Sequence, residues 1–201
     1  ALLTSEKDNT DKIVRSIEEC KRLGIAVLPP SVNESFSEFT AKGKTIRFGL
    51  SAVKNVGTAA VESMIRARES GGLFRSLDDF AERVDLRLCN RKVLESLIRA
   101  GAFDEFNLKR AQLTAMMDRA LSMGAEQQRD REKGQMSFFG AFDHGPESDI
   151  GANEPENVEE WPEHELLAHE KSVLGFYMSS HPMARYMRMI ETYATTTTKK
   201  L

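Results

Sequence analysis

The sequence holds little that would support redox or metal chemistry. Its 201 residues include two cysteines, Cys20 and Cys89. Two are too few for a disulfide framework, and their spacing fits no metal site. Both read as reduced intracellular thiols. No apolar run approaches the ~20 residues that cross a bilayer, so no membrane partner is expected. The opening stretch ALLTSEKDNTDK has no apolar core of the kind a secretory signal carries. The tempting HELLAH stretch puts His164 and His169 five apart. On a helix that is about 140° of rotation, whereas a zinc pair needs a spacing of four. His181 precedes Pro182 and reads as a turn residue. Paired carboxylates are scarce too. Asp78-Asp79 sits in SLDDFAERV, with Leu77, Phe80 and Ala81 facing inward, and reads as a capped helix start rather than a metal pair.

What remains is an ordinary water-facing chain, 40% hydrophobic and 29% charged, long enough for one or two domains with a real core. The net charge of -3 hides a segregation. Lys and Arg outnumber Asp and Glu between residues 41 and 135, whereas residues 136–170 hold many Asp and Glu and no Lys or Arg. A basic body followed by an acidic stretch points to a polyanion partner for the body and a solvated connector after it.

Periodicity divides the chain. Residues 9–23 form an amphipathic helix with Ile13, Val14, Ile17 and Cys20 on one face, stopped at Gly24. IAVLPP is a short strand ended by prolines. SVNESFSEFTAKGKTIRFGL reads as a loop and a hairpin turning at Lys42-Gly43-Lys44. The body is helical from Phe48 to about Gly124. A charged, Gly- and Pro-broken linker follows, and a further helix starts at Pro162. Trp161 reads as a packing anchor. Met178, Met183, Met187 and Met189, at helical spacings, read as core. A last short helix is expected within MSSHPMARYMRMIETY.

One segment repeats. AAVESMIRA at residues 59–67 matches KVLESLIRA at 92–100, apolar position for apolar position. Each copy makes one helical stripe, and the two can bury their stripes against each other. The residue before the helix is Gly57 in one copy and Asn90 in the other, the two types that most readily adopt positive φ. In the first copy Lys54-Asn55-Val56-Gly57-Thr58 forms a tight turn between a short helix and a longer one. Val56 plugs the gap, Gly57 provides a left-handed bend, and Thr58 caps the next helix. Amide donors at a positive helix end suit a phosphate, and Lys54 with Arg66 or Arg68 adds charge. Such a contact reads backbone, not bases. A plain helical corner that touches nothing fits the same residues. The second turn, DLRLCNRK, lacks glycine; there Arg87, Asn90, Arg91 and Lys92 either take the phosphate or serve structure alone.

GLSAVKNVGTAAVESMI resembles the helix-hairpin-helix motif of DNA-binding proteins. With its flanks DNTDKIVRSIEECKRLGIAVLPPSVNESFSEFT, FRSLDDFAERV, NRKVLESLIRAGAFDEF and EKSVLGFYMSSHPMARY, it resembles the C-terminal half of the α subunits of bacterial replicative DNA polymerase III. Ser180 stands where that family usually has glycine. The resemblance implies a mainly α fold: the end of a fingers domain in residues 1–47 and a tandem helix-hairpin-helix domain in 48–124. It further implies a long linker in 125–161 and a helical segment in 162–201 leading toward an OB domain that the chain does not include. It also implies that the catalytic carboxylates and their Mg2+ belong to a palm domain upstream, leaving this segment without a cofactor of its own.

GQMSFFG in the linker places two adjacent phenylalanines, Phe138 and Phe139, in a polar strip of a chain with only 7% aromatics. Each could bury on the order of 150–250 Å² in a partner pocket, with Gln135 hydrogen-bonding at the rim. Packing of both rings back onto the body is the alternative. Gln135, Met136, Ser137, Phe138 and Phe139 resemble the pentapeptide by which this polymerase family holds its ring-shaped β sliding clamp, with Met136 and Phe138 where leucine is commoner. The implied partners are duplex DNA held without sequence preference, the clamp and other replisome subunits, in a bacterial cytoplasm. A lesion-bypass relative of the same polymerase, a stand-alone DNA-repair protein and a protein-binding adaptor remain open on the residues alone.

Overall fold

The computed structural model describes residues 10–132 and 157–180, with 182, 183, 186, 192 and 193. Helix α1 (Thr10–Arg22) buries Ile13 and Ile17, and Gly24 ends it at φ 69°. The chain then enters β1 (Ala26–Leu28). The hairpin is β2 (Thr40–Lys42) and β3 (Thr45–Arg47), turning through Gly43 at φ 60°. The three strands make one sheet in the order β1-β3-β2. Strand β1 runs parallel to β3 with Val27 opposite Ile46, and β2 runs antiparallel with Ala41 opposite Ile46. The pairing of β1 with the hairpin had no signal in the sequence, because parallel partners are joined by whatever lies between them.

Helix α2 (Thr58–Gly71), α3 (Leu77–Arg83), α4 (Arg91–Arg99) and α5 (Arg110–Glu132) build the helical body. Phe74, Phe80 and Phe103 meet edge to face at 4.9 and 5.0 Å in its centre. Each fully buried phenylalanine contributes roughly 1.5–3 kcal/mol. Ser76 caps α3 by accepting the Asp79 amide, and Leu77, Phe80 and Ala81 are fully buried, as the pattern required. The repeat appears as α2 and α4. Ala60, Val61, Ser63 and Met64 are buried in one copy and Val93, Leu94, Ser96 and Leu97 in the other.

One hydrophobic cluster runs through Ile13, Ile17, Phe48, Val61, Leu94, Met117, Val173 and Phe176. It joins α1 and the sheet to the helical body. The loop between β1 and β2 is pinned to that body. Asn33 Nδ2 donates to Phe74 O at 2.9 Å, and its Oδ1 accepts the Phe74 amide at 2.7 Å. Arg68 donates to Val32 O and Ser35 O, and its guanidinium lies 5.1 Å from the Phe36 ring centre.

The expected end of the helical body near Gly124 falls inside α5, which continues to Glu132. A Cβ at Gly124 would stand 2.6 Å from Ala81 O, so this glycine permits close packing of α5 on α3 rather than ending a helix. Beyond the linker the chain returns to the start of α5. Glu160 accepts the Arg110 amide at 2.8 Å and the Ala111 amide at 3.1 Å, so its carboxylate caps α5 from outside. Helix α6 (Glu163–Leu174) follows, and Gly175 ends it at φ 87°.

Candidate nucleic-acid interface

The first hairpin departs from expectation in detail. Its leading element is a single 3-10 turn, Leu50–Ala52, because Val53 is already extended at φ -78°, ψ 128°. The left-handed residue is Asn55, at φ 68°, not Gly57. Asn55 holds that conformation with its side chain: Nδ2 donates to Ser96 Oγ at 3.0 Å. Gly57 is the N-cap of α2 and is extended, φ -77°, ψ 156°. Thr58 is therefore the first helical residue and not the cap. No side chain caps this helix, and space around Gly57 is open: a Cβ there would find nothing within 4 Å. Lys54, Asn55, Gly57 and Thr58 are exposed, while Val56 is buried beneath them. The Lys54 amide is bound to Val173 O at 2.9 Å, which ties the turn to the end of α6. The turn thus presents uncapped amides at a helix start beside an exposed lysine, a geometry suited to a phosphate oxygen.

The second hairpin is built alike but closed. Cys89 occupies the buried position of Val56, and burial pushes its thiol up to about 12. Asn90, the counterpart of Gly57, is extended at φ -72° and caps α4 by accepting the Lys92 and Val93 amides. Positive φ is used at neither position, so the glycine–asparagine match reflects two N-caps rather than two left-handed bends. The Asp85 amide donates to Ser63 Oγ at 2.9 Å, so each hairpin bonds to the buried helix serine of the other copy. Arg87 is ion-paired with Asp85 at 3.0 Å, and its hydrogen bond holds that carboxyl below the ordinary range. Arg91 pairs with Asp118 at 2.8 Å. Lys92 is exposed.

Of the extra cations, Arg66 is exposed, whereas Arg68 is taken up by the β1–β2 loop and lies away from the turn's chemistry. His169 stacks edge-on to Trp161 at 4.4 Å. Burial, then the Arg99 charge, holds His169 below its ordinary value, and His164 is exposed. Asp78 pairs with Arg119 and Asp79 with Arg83. Among the described residues no group of three or more His, Cys, Asp or Glu side chains could hold a metal ion. Met178 packs against the core, but Met183 is 44% exposed, which corrects its reading as core; Met187 and Met189 lie outside the described residues. The segment Gln135, Met136, Ser137, Phe138 and Phe139 also lies outside them.

Arg83 and Glu170 join the contacts that had no signal in the sequence. Arg83 donates to Ala67 O at 2.7 Å and Gly72 O at 2.6 Å, satisfying the open carbonyls at the end of α2. Glu170, 1% exposed, accepts the Met178 and Ser179 amides at 2.7 and 2.9 Å and lies 3.5 Å from Arg110. Neither has a spacing signature, because each bonds to backbone that only the fold brings near.

A tight turn leading into a helix occurs twice, uncapped at Gly57 and capped at Asn90, and the two copies are cross-linked through Ser96 and Ser63; residues 24–113 match the family described as helix-hairpin-helix motif. The chain is similar over nearly its whole length to curated proteins of one kind. It is 40% identical over 98% of its length to the DNA polymerase III subunit alpha of Saccharopolyspora erythraea. It is 39% identical over 100% to that of Haemophilus influenzae, and 36% identical over 96% to that of Escherichia coli K12. The chain spans 17% of the length of each of these relatives. It belongs to the DNA polymerase III alpha subunit family, as a segment homologous to that much of it. No helix among the described residues is long and apolar enough to cross a membrane.

Proposed function

We propose that this chain is the DNA-holding and clamp-tethering segment of a bacterial replicative polymerase α subunit, acting in the cytoplasm. The observation that carries the DNA half is the uncapped start of α2 on the exposed turn at Gly57, set against the Asn90-capped start of α4. A phosphate oxygen takes the place that a capping side chain fills in the second copy. Lys54 supplies the charge, and Asn55, locked on Ser96, fixes the turn. Such a grip is blind to base sequence. The carboxylates that hold metal for nucleotide transfer are assigned to another part of the polymerase, so this segment holds DNA without polymerising it.

The clamp half rests on the residues Gln135 to Phe139 in an acidic, glycine-flanked strip. Two weak attachments to one DNA, a phosphate grip and a ring around the duplex, raise the effective concentration of each other and give processive synthesis. Titrating the intact chain against mixed-sequence duplex and against the sliding clamp, at low and high salt, tests both halves. Duplex binding falls steeply with salt, as counterion release requires. Clamp binding barely changes with salt and disappears in the Phe138→Ala/Phe139→Ala variant. Salt-insensitive duplex binding rejects the phosphate grip, and clamp binding that survives the double substitution rejects the motif.

A further inference from the structure

A groove of about 1140 Å³ lies between the second half of α2, the end of α3 and the last turns of α5. Every cation that lines it is an arginine; no lysine does. Arg83 is consumed by backbone carbonyls, but Arg66, Arg87, Arg129 and Arg131 are exposed along its rim. Arginine is the cation whose planar fork matches two phosphate oxygens at once. Of the three acids that line it, Asp85 is paired with Arg87 and Glu82 with Arg131, and Glu69 is exposed on α2. Arg66 and Arg129 belong to neither pair.

The floor is arranged for an anion as well. A helix end repels phosphate through its open carbonyls. At the end of α3 those carbonyls are covered: Gln128 Nε2 donates to Ala81 O at 3.1 Å and to Val84 O at 2.8 Å. The groove is also continuous with the hairpins. Arg87 belongs to the second turn, and Arg66 stands on α2 roughly 12 Å along the helix axis from Thr58.

We infer that this arginine groove is a second seat for the phosphate backbone of the duplex, beside the first hairpin. The inference rests on the reading that the first hairpin holds duplex DNA. Arg66 and Arg129 engage phosphates directly, and Gln128 keeps the floor free of carbonyl charge.

Fluorescence anisotropy of the full chain with a fluorescein-labelled mixed-sequence duplex, across a salt series, tests it. The Arg66→Gln/Arg129→Gln variant should bind about tenfold more weakly, with the log–log salt slope smaller by about 1–2, equally for unrelated sequences. Its thermal melt should match the parent. Arg129→Glu alone should act in the same direction, which guards against a folding defect in the double variant. Parental affinity and slope in both variants, while Lys54→Glu loses binding, would overturn the groove and leave the hairpin reading intact. Absence of duplex binding by the parent chain overturns both. Loss confined to a poly-glutamate probe, with duplex binding intact, overturns the phosphate seat and assigns the groove to an acidic peptide.

Discussion

Asn55 Nδ2 donates to Ser96 Oγ at 3.0 Å, joining the turn of the first hairpin to a buried serine on the helix of the second. Asn55 is left-handed at φ 68°, so one side chain both permits the turn and bolts it to its partner. Asn55→Gly keeps the turn and loses the bond, about 1 kcal/mol. Asn55→Ala loses the bond and strains the backbone by roughly another 1–2 kcal/mol. Chemical denaturation of the two variants should therefore rank Gly above Ala. Equal stabilities would remove the left-handed turn from the account.

Glu170 is the buried acid that holds the end of α6 in place. Glu170→Ala leaves the Met178 and Ser179 amides and the Arg110 charge with a lost partner, which costs about 3 kcal/mol. Glu170→Gln keeps an acceptor and loses less. Because the Val173 carbonyl bonds the Lys54 amide, Glu170→Ala should also weaken duplex binding. A melt that falls for Ala no further than for Gln contradicts the role given to the carboxylate.

Cys89 is buried, and its folded pKa of about 12 lies above the ordinary value of 9.0. A group raised on folding contributes stability that is complete below the unfolded pKa and is lost as pH rises toward the folded one. Between those values the unfolded thiol has lost its proton and the folded one has not. Stability should therefore fall by about 1.4 kcal/mol per pH unit in that window from this group. Cys89→Ala should flatten the slope. Thiol titration of the native protein should also label Cys20, which is half-buried, well before Cys89.

Much of this was legible in the sequence for reasons that are local. The stripes of α1, α2 and α4, the Ser76 cap and the repeat are written in spacing, and spacing survives into structure. Glycine was harder to read. At Gly124 it permits close packing on Ala81, and at Gly57 it omits a cap, yet both look like conformational breaks in the chain. The β1–β3 pairing, the Asn33 bracket on Phe74, the Glu160 cap on α5 and the Arg83 bonds to α2 join residues far apart in the chain. Nothing in one sequence marks such pairs. Of the expected DNA-contacting residues, the fold exposes Lys54, Asn55, Gly57 and Thr58 on one turn, buries Val56 beneath them, and uses Asn90 as a cap.

Gly57 offers the most direct test. It is extended, exposed and sterically open, so aspartate fits there without strain. Gly57→Asp would cap α2 as Asn90 caps α4, and would hold or raise stability by up to about 1 kcal/mol. The same carboxylate would occupy the amides and repel a phosphate. The measurement is duplex affinity of Gly57→Asp at low salt beside its thermal melt. The account predicts a melt at or above that of the parent with at least tenfold weaker DNA binding. Parental affinity with an intact fold would contradict the claim that the uncapped start of α2 is where this chain holds the phosphate backbone.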